Sequence, residues 1–154
     1  MNTMLATGDA ALGRGFVDWR GMCAGKPDYD VARLMQRANP ALTQAECAAY
    51  MAPFPDTGHR AATRAFPAMV PETPDADGAA LSRQARDFWR DRWTGKTLMV
   101  IGQQDPVLGL PVMQALRASI RGCPEPLLLE QAGHFVPEWG GAVAQQAVRV
   151  FGNG

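Results

Sequence analysis

The stretch QAGHFV, residues 131–136, places His134 in a turn of small residues directly after the apolar run PLLL at residues 126–129. An apolar run that ends at such a turn is typical of a buried strand leading into a loop. A second run of this kind, TLMVIG at residues 97–102, leads into a loop that carries Asp105. In parallel α/β sheets the functional groups lie at the carboxyl ends of the strands. We therefore expect an acid and a base at neighbouring strand ends, within hydrogen-bond reach of each other.

The segment between the two apolar runs has the pattern of a helix. This helix should begin near Leu110, because Pro111 is tolerated in a first turn and Gly122 suits a C-terminal cap. A strand, a helix and a second strand form a crossover that returns the chain in the same direction, so the two strands should be parallel. Residues 141–151 predict a closing amphipathic helix. The second half of the chain is therefore predicted as βαβα, with strands at residues 97–102 and 127–130.

The first half of the chain predicts helices and turns. Residues 1–7 are apolar and short, and Gly8 follows at once, so they are interpreted as the end of a strand. Val31, Leu34 and Met35 have helical spacing, and Thr43 with Glu46 matches a capping box. Helices are predicted at residues 28–38, 43–51 and 78–92, with a glycine-rich segment at 13–26 and an irregular, proline-rich region at 53–74.

The composition excludes several classes of function. The chain has 154 residues, and 47% of them are hydrophobic, which is enough for one domain with a sizeable core. Its 15 basic residues balance 15 acidic ones, so no surface for nucleic acid or an anionic membrane is predicted. There is no transmembrane-length apolar run or signal-peptide pattern, and the cysteines Cys23, Cys47 and Cys123 lack metal-ligand spacing. We expect a cytoplasmic protein with a small, uncharged partner.

Short motifs along nearly the whole chain resemble those of haloalkane dehalogenases. They are NT at residues 2–3, ATGD at 6–9, GFVDW at 15–19, APFPDT at 52–57, FPAMV at 66–70, FW at 88–89, IG at 101–102 with Asp105, GCPEP at 122–126 and AGHFV at 132–136. The resemblance is to the cap and C-terminal half of such an enzyme. It implies an α/β chain: the end of a core strand at 1–8, a helical cap at 9–94, and the C-terminal βαβα part of an α/β-hydrolase core at 95–154.

The resemblance also implies a reaction and a set of site residues. In the family an aspartate displaces halide from carbon to form an alkyl ester, and a histidine activates the water that hydrolyses this ester. His134 matches the base, Asp105 its acid partner, and Trp19 one of the two indole N–H donors that hold the departing halide. The positions matching the apolar substrate pocket are Phe16, Phe66, Pro67, Val70, Val107 and Leu108. The implied partners are a small halogenated substrate, halide and water, without a metal or cofactor.

The family's nucleophile has no counterpart in this sequence. It lies in an elbow of the pattern Gly-x-Asp-Trp-Gly-Gly, which also supplies the second halide-binding tryptophan. Asp18 precedes Trp19, but no strand precedes this pair, and Arg20 occupies the place of a glycine. Ser82 and Ser119 stand outside any Gly-x-Ser-x-Gly pattern. The chain is therefore expected to need the N-terminal half of the same fold as a partner and to be inactive alone.

Two other functions stay open at this point. An epoxide or ester hydrolase of the same fold would be favoured by cap tyrosines, but neither Tyr29 nor Tyr50 takes the matched position of Trp19. A non-enzymatic remnant or interaction domain would be favoured by the lack of a nucleophile. The second histidine, His59, is interpreted as a solvated loop residue. We further expect Trp19 and Phe66 to face the acid–base end of the sheet from the cap.

Overall fold

A computed structural model of the protein describes residues 1–152. The chain divides into two compact units. One is Ala6–Ala79, and the other combines Met1–Leu5 with the chain from Ala80 onward. The last two positions of the predicted core range, residues 153 and 154, lie outside the described residues. In the described part of the chain, no helix is both long enough and apolar enough to cross a membrane.

The unit of residues 6–79 is helical. Its helices are α1 (Arg14–Gly25), α2 (Val31–Ala38), α3 (Gln44–Met51) and α4 (Ala61–Ala68). The capping box that begins α3 is confirmed, because the Glu46 N–H donates to the Thr43 hydroxyl and the Thr43 N–H donates to the Glu46 carboxylate. Helix α2 begins three residues later than predicted, since the Asp30 carboxylate accepts the Arg33 N–H and acts as the N-cap.

Helix α1 forms where the sequence predicted only a glycine-rich segment. Its buried residues are Phe16 and Cys23, which lie seven positions apart and therefore on the same face of a helix. Arg20 reinforces this unit at the end of α4: its guanidinium lies 5.7 Å from the Phe16 ring centroid, donates to the Val70 carbonyl and pairs with Glu72. Helix α1 packs against α4, and α2 packs against α3.

The other unit contains the sheet. Its elements are α5 (Ala79–Asp91), β1 (Val100–Gly102), α6 (Leu110–Ala118), β2 (Leu127–Leu129), a 3-10 turn (Val136–Trp139) and α7 (Gly140–Phe151). The predicted parallel pairing of the two strands is confirmed, with Val100 opposite Leu127 and Gly102 opposite Leu129. Ile101 is fully buried in a core with Met99 and Met113. The crossover therefore brings both strand ends to one edge of the sheet.

One local prediction in this unit was wrong. Helix α6 ends at Ala118 with Ser119 as its C-cap, in place of the predicted Gly122, because the Ser119 and Ile120 N–H groups bond to carbonyls three residues back and close the last turn early. Gly122 instead takes a φ of 68° in the turn that follows. Residues 1–8 form no backbone ladder with the described residues, and Asn2 bonds to Gly102 through its side chain; that these residues end a core strand stays a prediction.

Apolar surface remains exposed in this unit. Helix α7 has no buried residue, and its Val148 and Phe151 are 68% and 47% exposed. Leu128, in the middle of β2, is 42% exposed. Exposed apolar surface of this kind favours association.

Candidate active site

The loop after β1 holds Asp105 in a fixed orientation. Asp105 is 7% exposed, and its Oδ1 accepts the backbone N–H groups of Val107 and Leu108, both at 2.9 Å. A Cβ at Gly109 would collide with the Asp105 carbonyl oxygen, so only glycine lets the loop close this tightly. The acid is therefore oriented by its own loop.

The loop after β2 brings His134 to the same edge. The Gln104 N–H donates to the Ala132 carbonyl at 2.8 Å, which ties this loop to the one after β1. A Cβ at Gly102 would collide with the Gly133 carbonyl oxygen, so the two loops pack backbone against backbone. His134 follows directly, and the predicted proximity of acid and base depends on this close packing.

Asp105 and His134 form a hydrogen-bonded pair, as predicted. The His134 Nδ1 lies 2.8 Å from Asp105 Oδ2. The carboxylate side chain is 2% exposed, whereas the imidazole is 31% exposed. Because an ionised carboxylate only accepts hydrogen bonds, Nδ1 carries the proton and Nε2 is left as an acceptor. The ring of Phe135 lies edge-on to the imidazole, with 5.1 Å between centroids. This is the geometry of a base oriented by an acid.

Asp105 is ionised at neutral pH. Burial by itself raises the pKa of this carboxyl, but hydrogen bonds from His134 and from the Leu108 and Val107 N–H groups outweigh it and lower the pKa from 3.8 to about 2. A carboxylate held in this state stabilises a positive charge on the imidazole. His134 can therefore accept a proton at Nε2 while Asp105 remains negative.

Asn2 is the residue of this site that the sequence reasoning missed. Its side chain is 1% exposed and bonds to both backbone groups of Gly102 and to Asp105 Oδ2, and its N–H donates to the His134 carbonyl. The only signal for it was the NT motif of the family resemblance, which assigned it no role. A polar residue about 100 positions from its partners has no spacing pattern that could predict the contact.

The remaining predicted site residues divide between the two units. Val107 and Leu108 are half-buried in the loop that holds Asp105. In the helical unit, Phe16 and Pro67 are buried, Val70 is half-buried, and Phe66 is 65% exposed. The structure thus brings Asp105, His134, Val107 and Leu108 together in one unit. The expectation that Trp19 and Phe66 face the acid–base pair stays a prediction.

Trp19 is half-buried on α1, with its ring edge-on to Tyr29 at 6.3 Å between centroids. Within the described residues, its indole N–H has no hydrogen-bond partner.

His59 is exposed and pairs with Asp56 at 2.8 Å, which agrees with its interpretation as a solvated loop residue. In residues 1–152, no group of three or more His, Cys, Asp or Glu side chains could hold a metal ion.

Comparison with known proteins points to one family. No family model matches the chain. A haloalkane dehalogenase of Psychrobacter cryohalolentis is 34% identical over 140 residues, and one of Mycobacterium marinum is 31% identical over 142; each alignment takes in 89% of this chain and 46% of the relative. A solved haloalkane dehalogenase from Paraglaciecola agarilytica NO2, described as tetrameric, is 37% identical and superposes on 98% of this chain and 50% of its own, with a TM-score of 0.92.

The chain spans about half the length of the relatives it matches. Within that half the similarity runs almost from end to end, both in sequence and in backbone. The predicted resemblance and the predicted α/β-hydrolase class are therefore confirmed.

Proposed function

We propose that this chain, a homologue of haloalkane dehalogenases with half of their α/β-hydrolase fold, supplies the acid–base half of a carbon–halogen hydrolase. The observation that carries the proposal is the 2.8 Å hydrogen bond between His134 Nδ1 and the buried, ionised Asp105. It lies where two parallel strands end, which is where α/β enzymes place their functional groups. In this role Asp105 orients the base, and His134 Nε2 accepts the proton.

The reaction proceeds through two displacements. A carboxylate on the other half of the fold attacks the halogenated carbon, a carbon–oxygen bond forms, and the halide leaves with the bonding electron pair. His134 Nε2 then takes a proton from water, and the resulting hydroxide adds to the ester carbonyl carbon. Collapse of the tetrahedral intermediate breaks the acyl–oxygen bond and leaves an alkoxide and a carboxylic acid, which becomes the carboxylate again by releasing its proton to solvent. The alkoxide takes the proton from His134 and leaves as the alcohol.

The halide is assigned to a donor-only side chain, and the alkyl group is assigned to apolar side chains. Trp19 is the halide donor in the complete enzyme, and its indole N–H suits this role because it donates but does not accept. The side chains proposed to line the substrate pocket are Phe16, Phe66, Pro67, Val70, Val107 and Leu108. The cap of the complete enzyme would correspond to residues 9–94. The substrate class is accordingly a small, uncharged haloalkane.

The chain alone is not expected to turn over haloalkanes. Attack on carbon requires a carboxylate held in line with the carbon–halogen bond, and the sequence has no elbow that presents one. His134 and Asp105 by themselves can activate water, for which general-base catalysis contributes about 10²–10⁴-fold. Water attack on an alkyl halide also bypasses the ester on which the histidine acts. The rate should therefore stay near the uncatalysed background.

Complementation with a separately expressed N-terminal half that carries an Asp elbow tests the proposal. Release of bromide from a short bromoalkane is measured for each half alone and for the mixture. We expect activity only in the mixture, because nucleophile and base then belong to one site. His134→Ala should let the first displacement proceed but block ester hydrolysis, so that one equivalent of bromide is released and turnover stops.

His59→Ala is the matched control, because His59 is the other histidine of the sequence and lies exposed on a loop. It should leave turnover unchanged. Trp19→Phe should weaken turnover, since an aromatic ring is kept but the N–H donor is lost. Robust activity of this chain alone that survives His134→Ala would contradict both the assignment of the base and the need for a second half.

A second candidate, an epoxide hydrolase of the same fold, is favoured by one observation. The ring of Tyr29 lies edge-on to Trp19, which puts a phenol beside the proposed halide donor. A phenol O–H could protonate the oxygen of an opening epoxide. The same mixture assayed with a short epoxide separates the two functions: Tyr29→Phe should abolish epoxide opening, whereas bromide release should depend on Trp19 instead.

A further inference from the structure

We propose that Asn2 is the positioning residue of the acid–base pair, fixing the plane of the Asp105 carboxylate so that Oδ2 faces His134. This inference rests on the proposed function, because it adds a residue to the same site. It goes beyond that function by assigning a role to a side chain outside the acid, the base and the pocket.

The Asn2 side chain can lie in only one orientation. Its Oδ1 accepts the Gly102 N–H at 3.0 Å, and its Nδ2 donates to the Gly102 carbonyl at 2.8 Å. If the amide were rotated by half a turn, donor would face donor and acceptor would face acceptor. Gly102 lies at the end of β1 and is buried, so the sheet itself sets the direction of the amide. The remaining Nδ2 proton therefore points at a fixed place.

That proton reaches the oxygen of Asp105 that also serves His134. Nδ2 lies 3.2 Å from Oδ2, and His134 Nδ1 lies 2.8 Å from the same atom. Oδ1 is held separately by the Val107 and Leu108 N–H groups. With Oδ1 alone held, the carboxylate could still turn and swing Oδ2 away from the imidazole. Asn2 supplies the second fixed point and so determines the carboxylate plane.

The main chain of Asn2 also contacts His134. Its N–H donates to the His134 carbonyl at 3.2 Å. One residue thus bonds to the acid's side chain, the base's backbone and the end of β1. Because a substitution at this position keeps the backbone N–H, side-chain variants test the bonds to Gly102 and Asp105 separately from the bond to the His134 carbonyl. Asn2→Leu removes the amide at similar volume, and Asn2→Asp keeps an acceptor for the Gly102 N–H but replaces the donor with a charge that repels Asp105.

The test follows the tautomer of His134 by ¹⁵N nuclear magnetic resonance of the whole chain. Nδ1–H is the tautomer set by a hydrogen bond to Asp105, so the wild type should hold His134 largely in this form. In Asn2→Leu and Asn2→Asp, we expect the Nε2–H form to gain population and the hydrogen-bonded Nδ1–H proton to weaken or disappear. His59 gives the only other imidazole signals and should not change.

Asn39→Leu is the matched control. Asn39 is also a buried asparagine, 4% exposed, and accepts the Ala41 N–H in the helical unit. This variant loses a buried amide but should leave the His134 tautomer as in the wild type. A folded Asn2→Leu or Asn2→Asp protein with an unchanged His134 tautomer would overturn the proposal. So would loss of folding in both Asn2 variants while Asn39→Leu stays folded, because Asn2 would then be a stability residue.

The tautomer readout does not require any reaction, so the two proposals can fail separately. If the tautomer responds to Asn2 but no mixture with an N-terminal half releases bromide, the proposed function fails and the positioning role stands. If the mixture is active, Asn2→Leu should lower kcat by about 10²-fold, the loss typical of misplaced catalytic groups, with little change in KM. If an Asn2 variant keeps full kcat in the mixture although its His134 no longer holds a single tautomer, the positioning role is contradicted and the proposed function is not.

Discussion

Replacing Asp105 by asparagine should make the free energy of unfolding of the sheet-containing unit depend less on pH in the acid range. In the folded chain the pKa of Asp105 is lowered from 3.8 to about 2. A difference of one in the pKa between the folded and unfolded chain corresponds to about 1.4 kcal/mol. Ionised Asp105 therefore contributes about 2 kcal/mol to the free energy of unfolding at pH 7. The unfolded chain binds the proton more readily than the folded one. The contribution is therefore complete above about pH 5 and is lost as the pH falls from about 4 to 2.

An asparagine at position 105 could not reproduce this contribution. Asp105 accepts N–H donors from Val107, Leu108, Asn2 and His134, whereas an asparagine side chain has one acceptor oxygen and would face some of these donors with its own NH₂ group. We expect Asp105→Asn to lower the free energy of unfolding by about 2 kcal/mol at pH 7. At pH 2 the difference should shrink to less than about 1 kcal/mol, because most of the stabilisation from ionised Asp105 is then lost.

Urea unfolding, monitored by tryptophan fluorescence, can measure this difference in the free energy of unfolding for the sheet-containing unit alone. Trp19 lies in the helical unit, and the other three tryptophans, Trp89, Trp93 and Trp139, all lie after residue 80. In a Trp19→Phe background the fluorescence therefore reports on the sheet-containing unit. Asp56→Asn is the control, since Asp56 is exposed and belongs to the helical unit. A difference of equal size at pH 7 and pH 2 would refute the reasoning, because the loss would then not come from ionisation.

Three further predictions concern the fold. Gly102→Ala should destabilise the sheet-containing unit by about 1–3 kcal/mol in urea unfolding, because its Cβ would collide with the Gly133 carbonyl; Gly141→Ala in α7, where a Cβ meets nothing within 4 Å, should be neutral or stabilising. Thr43→Ala should cost about 1 kcal/mol by removing the cap of α3, measured by thermal unfolding. The isolated chain should associate on a sizing column because of its exposed apolar surface, and Val148→Lys should shift it toward the monomer; a monodisperse wild type would contradict this.

The strands and the acid–base pair could be predicted because their signals are local. Each apolar run is followed within a few residues by a turn and one member of the Asp105–His134 pair, and the helix between the runs sets the parallel direction. The capping box of Thr43 and Glu46 is equally local, since both partners lie within four positions. Residues 97–102 and 127–130 were predicted too long by one to three residues, because apolar composition marks buried chain and not the ends of a hydrogen-bonded ladder.

Helix α1 could not be predicted in the same way. Gly15, Gly21 and Gly25 lower its intrinsic helix propensity, and its formation depends on burial of Phe16 and Cys23 by the rest of the unit. Asn2 was missed for a related reason, since its partners lie about 100 positions away along the chain. Tertiary contacts determine helix α1 and the placement of the Asn2 side chain, and no short-range pattern records them.

The loop after β1 holds Asp105 through the main chain of Val107 and Leu108 and not through their side chains. Any residue except proline at these two positions offers the same N–H group. The side chains at 107 and 108 can therefore change in size and shape over evolutionary time without disturbing the acid. A lineage of such proteins can diversify at these two positions while keeping one geometry of the Asp105–His134 pair, and proline is the single substitution that this rule forbids there.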